Sequence, residues 1–63
     1  MTDRTLFLTE REVANLLKIS TKKLQADRFY GRGLPYIKLG GAVRYKLDHI
    51  MEAVEKSVVK PRQ

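Results

Sequence analysis

Lys22, Lys23 and Gln25 stand within four consecutive residues, with Thr21 just before them and Arg28 three positions further on. Ammonium and guanidinium groups donate hydrogen bonds and carry charge, while a carboxamide or a hydroxyl can both donate and accept. The set suits a ligand that is anionic along its length and displays edges of mixed donors and acceptors. The charge around it points the same way. Residues 18–46 contain eight Lys or Arg (18, 22, 23, 28, 32, 38, 44 and 46) and one acid, Asp27, for a net charge of +7. The other 34 residues hold five bases and six acids. Solubility does not require such a block. A phosphate backbone does, because each neutralised phosphate releases counterions. Double-stranded DNA is therefore the expected partner. Thr21, Lys22, Lys23 and Gln25 are expected at base edges or the groove wall, since Lys and Gln complement guanine and adenine edges respectively. Arg28, Arg32, Lys38, Arg44 and Lys46 are expected on phosphates.

Other chemistry finds little support. The chain has no cysteine, which excludes disulfides and thiolate metal sites. Its one histidine, His49, has no second ligand at metal spacing. Asp48 and Glu52 near it read more simply as a helix cap and a surface acid. No metal, no cofactor and no enzymatic activity are expected, and a core this small offers too little wall for a substrate pocket. Two further readings use the same residues. The basic face would also suit an acidic protein, and Tyr30, Tyr36 and Tyr45 would suit stacking on single strands.

These side chains need elements to position them. Leu6–Leu8 reads as a short extended lead-in. Thr9 and Glu12 form a capping box, with Leu8 and Val13 as a hydrophobic staple. Val13, Leu16 and Leu17 give the first helix an apolar face, and it is expected to end near Lys18. Ser20 caps a second helix over Thr21 to about Arg28, so only Lys18 and Ile19 separate the two, with Ile19 as a buried plug. Two short helices joined this tightly make a helix-turn-helix. Leu24 is the clearest inward residue of the second helix. Gly31, Gly33 and Pro35 predict a loop, pinned by Phe29 or Tyr30. Tyr36–Leu39 and Ala42–Tyr45 then flank the two-residue turn Gly40-Gly41 as a hairpin. Its apolar face is expected to draw on some of Ile37, Leu39, Val43 and Tyr45, with the strand phase left open. Asp48 caps a last helix with Ile50, Ala53 or Val54, Ser57 and Val58 at helical spacing.

Sixty-three residues make one domain, with a core from about 6 to 58 and a tail from 59 to 63. The fold expected is mainly α with a small β-hairpin, a winged helix-turn-helix. No run approaches a membrane span and the N-terminus does not read as a signal peptide, so a cytoplasmic location is expected.

The order and spacing of Leu8-Thr9, Glu12-Val13-Ala14, Leu16-Leu17, Ser20, Leu24-Gln25, Arg28, Gly31, Gly33, Pro35, Ile37-Lys38-Leu39-Gly40 and Val43-Arg44-Tyr45 resembles the excisionase-like and AlpA-like helix-turn-helix family. That family is related to the DNA-binding head of MerR-type regulators. The resemblance covers about Leu6 to Val58. It implies that the helix after Ser20 enters the major groove and that Gly40 and Gly41 form a wing on the adjacent minor groove or backbone, with Arg44 as a backbone contact. It further implies binding to repeated neighbouring sites and bending of DNA. Separately, with no heptad long enough for a coiled-coil dimer, a monomer that fills adjacent sites cooperatively is expected. The implied role is a recombination directionality factor that steers an integrase toward excision, or a transcription regulator of a phage or mobile element, or both. Two places depart from the family: Asp27 stands where a Trp is common, and Ala53 where a bulky aromatic is common.

Overall fold

The computed structural model describes residues 6–61. Six elements follow one another: β1 (Phe7–Leu8), α1 (Glu10–Leu17), α2 (Thr21–Phe29), β2 (Ile37–Leu39), β3 (Ala42–Lys46) and α3 (Leu47–Lys56). They form a small mixed α/β domain of three helices and a three-stranded antiparallel sheet, in the order β1-β3-β2. The expected hairpin is there, with Ile37, Lys38 and Leu39 opposite Arg44, Val43 and Ala42. The lead-in is more than extended chain. Phe7 and Leu8 pair with Lys46 and Tyr45, which makes β3 the central strand.

Local chemistry explains the helix starts. Thr9 Oγ1 accepts from the Glu12 amide at 3.1 Å, and Glu12 Oε1 accepts from the Thr9 amide at 2.8 Å, closing the capping box. Ser20 Oγ accepts from the Lys23 amide at 3.1 Å. The third helix differs from expectation. It begins directly after β3, so Lys46 takes the cap position without a side-chain bond, and Asp48 lies inside the first turn. An acid there still favours the helix dipole.

The helix ends are equally specific. α1 closes on Lys18 in a left-handed conformation (φ 59°, ψ 42°), with the Ile19 amide reaching back to the Ala14 carbonyl at 3.0 Å. α2 closes with Gly31 left-handed (φ 71°), the Gly31 amide on the Arg28 carbonyl and the Arg32 amide on the Asp27 carbonyl at 2.8 Å. That pair of bonds is a Schellman motif.

The core is Val13, Ala14, Leu24, Tyr45 and Ile50, with Leu8, Leu17, Ile19, Leu34 and Val43 packed around it. Ile19 is thus half-buried rather than a sealed plug. Of the hairpin residues, Val43 and Tyr45 turn inward, while Leu39 is exposed. Phe29 and Tyr30 do not pin the loop: they are 82% and 66% exposed and touch each other edge to face. Val58 lies beyond the end of α3 and is exposed. No described helix is long and apolar enough to cross a membrane.

Candidate nucleic-acid interface

α2 surrenders very little of itself to the core. Leu24 is its one fully buried residue. At about 100° per residue, Lys22, Gln25, Ala26 and Phe29 fall on the side facing away from Leu24. All four are at least partly exposed, and Phe29 is 82% exposed. Thr21 is half-buried at the flank, and Lys23 lies on the other flank beside Asp27. The stripe therefore offers an ammonium, a carboxamide, a methyl group and a phenyl ring in sequence.

Gln25 does not extend freely. Its Nε2 donates to Glu10 Oε2 at 2.7 Å, across from α2 to the first residue of α1. The other oxygen of Glu10 accepts from Arg28 Nη1 at 2.9 Å, and the same Nη1 donates to the Tyr45 hydroxyl at 3.0 Å. The Arg28 guanidinium also lies 5.6 Å from the Tyr36 ring centre. A buried phenol needs a partner for its hydroxyl, and Arg28 is that partner. These bonds tie α1, α2 and β3 together. The Gln25 amide, then Arg28, hold the Glu10 carboxyl below the usual range, against an opposing push from desolvation. Glu10, and to a smaller extent Tyr45, raise Arg28 above its ordinary value against desolvation.

Asp27 organises the other flank. Its two oxygens accept from Lys23 Nζ at 3.1 Å and Arg32 Nε at 3.3 Å. Lys23, then Arg32, lower its pKa. Arg32 also lies over the Tyr30 ring at 5.1 Å. Gly33 packs against Asp27 so closely that a Cβ at Gly33, where φ is +91°, would come within 2.7 Å of the Asp27 Cβ. The acid that looked out of place among bases is a clamp for the two cations on either side of it.

The remaining expected contacts lie on the sheet. Lys38 is exposed on β2, and Gly40 and Gly41 form the exposed turn between β2 and β3. Arg44 is half-buried and donates to the Val43 carbonyl at 2.8 Å, and Lys46 is half-buried at the start of α3. No acid pairs with Lys18, Lys22 or Lys38 among the described residues.

Sequence reasoning missed Glu10 and Phe29. Nothing local marks Glu10 beyond its place in the first turn, because its partners stand 15 and 18 residues away. Phe29 could have been found by helical projection, since it follows Lys22 by seven positions and Gln25 by four. Among the described residues, no group of three His, Cys, Asp or Glu is placed to hold a metal ion. Comparisons of the chain with protein-family models, curated proteins and solved structures gave no match.

Proposed function

We propose that this chain is a winged helix-turn-helix module that binds double-stranded DNA by sequence. In this reading α2 enters the major groove and the Gly40-Gly41 turn touches neighbouring backbone or minor groove. The observation that carries it is α2 itself: nine residues long, one of them fully buried, and faced with Lys22, Gln25 and Phe29. A helix kept for packing alone would bury a stripe, not a single side chain. Lys22 and Gln25 are the base-edge donors and acceptor, and Phe29 is suited to thymine methyl groups. Thr21, half-buried at the flank, is the groove-wall candidate, and the amides at the start of α2 suit phosphate. Lys38, Arg44, Lys46, Arg32 and Lys23 supply charge around the groove, the last two in the grip of Asp27. Arg28 acts first as a strut and only secondarily toward the backbone.

The role we assign is architectural: a directionality factor that bends or coats attachment-site DNA beside a separate integrase. A promoter regulator on a mobile element is the alternative, and both uses are compatible with one protein. A module of this size typically covers about 600–1,000 Å² on DNA, so cooperative filling of adjacent sites is expected. Titration of duplex and single-stranded oligonucleotides at several salt concentrations tests the binding mode. Preference for single strands, or salt-sensitive binding to acidic proteins without affinity for DNA, would overturn it. Excision assays with integrase and attachment sites, with and without the chain, separate the roles. Equal excision in both, together with altered promoter output, would assign regulation instead.

A further inference from the structure

We infer that Glu10, which lies outside the basic block, decides which bases Gln25 accepts. The inference rests on the DNA-reading role proposed for α2. An unrestrained glutamine is ambiguous, because its carboxamide turns over and offers either end to a base. Gln25 is restrained. A carboxylate is acceptor-only, so at 2.7 Å it tolerates the NH2 end of the amide and repels the carbonyl end. The amide therefore has a fixed polarity, with Nε2 toward α1 and Oε1 left to the ligand.

The restraint is itself braced. Rotation of the Glu10 carboxylate is opposed by Arg28 on its other oxygen at 2.9 Å. Arg28 is held in turn by the hydroxyl of Tyr45, a residue 1% exposed at the centre of the core. The chain of bonds runs from the core to the reading face without a free rotor.

The chemical consequence is a choice of base class. An acceptor fixed at the groove needs a donor opposite it. Adenine N6 and cytosine N4 are the exocyclic amines of the major groove, whereas guanine shows N7 and O6 acceptors and thymine shows O4 and a methyl. The base facing Gln25 is thus an amine-bearing one, adenine or cytosine. Adenine has the further advantage that its N7 can accept the second Nε2 proton. Glu10 is a positioning residue here: it touches no base and acts through Gln25.

Selection from random duplexes tests this with the full chain as wild type, Gln25→Ala and Glu10→Gln. The position whose preference disappears in Gln25→Ala is the one Gln25 reads. Wild type should favour adenine or cytosine there by roughly tenfold, and Glu10→Gln, whose own amide donates or accepts, should reduce that to within about threefold with guanine gaining. Preferences elsewhere in the site should persist, which a merely structural role of Glu10 would not produce. Guanine or thymine at that position in wild type, or an undiminished preference in Glu10→Gln, overturns the inference. So does a Gln25→Ala variant that alters no position. No enrichment of any duplex by wild type overturns the DNA-reading role, and this inference with it. Should Glu10→Gln fail to fold, NMR of the wild-type side-chain amides decides. The Gln25 Nε2 protons should shift as Glu10 is protonated in acid, and resonances indifferent to that titration refute the restraint.

Discussion

Arg28→Ala should cost stability and leave the electrostatics of DNA binding nearly intact. The Arg28–Glu10 pair is 2.9 Å long and its side chains are 21% and 23% exposed, so solvent screens it only in part. A hydrogen bond between charged partners in such a setting contributes about 1.5–3 kcal/mol. The substitution also strips the buried Tyr45 hydroxyl of the donor it now has at 3.0 Å. Orphaning a buried polar group costs about 1–3 kcal/mol, less wherever water reaches it. Together these effects should destabilise the fold by about 2–4 kcal/mol. At about 0.05–0.15 kcal/mol per residue, a domain of this length has only about 3–9 kcal/mol in total. The urea midpoint should therefore fall by about a fifth or more, with the slope of the transition unchanged. Tyr45→Phe alone should cost about 1 kcal/mol, and the double variant less than the sum, because it removes the orphaned hydroxyl. Binding titrations complete the test. Neutralising a side chain that sits on a phosphate lowers the salt slope by about one, as Lys38→Ala should while leaving stability unchanged. If Arg28→Ala costs under about 1 kcal/mol and lowers the slope by a full unit, Arg28 is a backbone ligand and not a strut.

Three other outcomes follow from the same geometry. Gly33→Ala should destabilise by about 2 kcal/mol in urea unfolding, because a side chain is strained at φ +91° and its Cβ meets Asp27 at 2.7 Å; equal stability would refute that close approach. Lys18→Gly should stabilise by about 0.5–1 kcal/mol, since the left-handed end of α1 suits glycine, and a lower midpoint would contradict a left-handed closure at Lys18. Acid should weaken the fold: Glu10 and Asp27 have lowered native pKa values, so their contribution is complete above the unfolded carboxyl range near about 4 and is lost as pH falls through the native values. Melting curves from pH 6 down to pH 2.5 should show that decline, and Glu10→Gln should flatten it; a wild-type curve level throughout would exclude both clamps.

What the sequence disclosed and what it withheld divide along the distance over which each cause acts. Thr9 with Glu12, and Ser20 with the Lys23 amide, were legible because a cap and its target stand three residues apart. The Gly40-Gly41 turn was legible for the same reason. Asp48 misled because it is a good cap two positions too late: α3 begins directly after β3, so the cap position falls to Lys46, whose side chain has no acceptor. Strand β1 was hidden, since two residues carry no periodicity and their pairing with Tyr45 and Lys46 is far away in sequence. Phe29 and Tyr30 misled because large aromatics usually belong to a core. Here five other side chains already fill it. Lys18 gave no sign of a left-handed conformation that glycine more often supplies. Among the site residues, the basic block gave the location of the face, but not which of its cations are bound to acids. For Glu10 that depended on partners that become visible only once α1 packs beside α2, whereas Asp27 stands four residues from Lys23 and five from Arg32, so its pairing was within reach of the sequence.

The small core and the exposed helix are one fact seen twice. A domain that buries only Leu24 of α2 cannot hold that helix in register by apolar contact alone. Two acids do the rest. Glu10 grips it through Gln25 and Arg28, and Asp27 joins its Lys23 flank to the loop that carries Arg32 and Gly33. The exposed bonds of Asp27 and Gln25 stabilise weakly and the part-buried Arg28 bond more strongly, but all of them fix direction, which burial does not. The outward stripe remains free because the flanks are tied. Substitutions on the stripe should therefore alter what is bound, and substitutions at the ties should alter how firmly the reading face is presented. Gln25 belongs to both groups, so on the DNA-reading role proposed for α2 its partner Glu10 would be the residue through which stability and base choice meet.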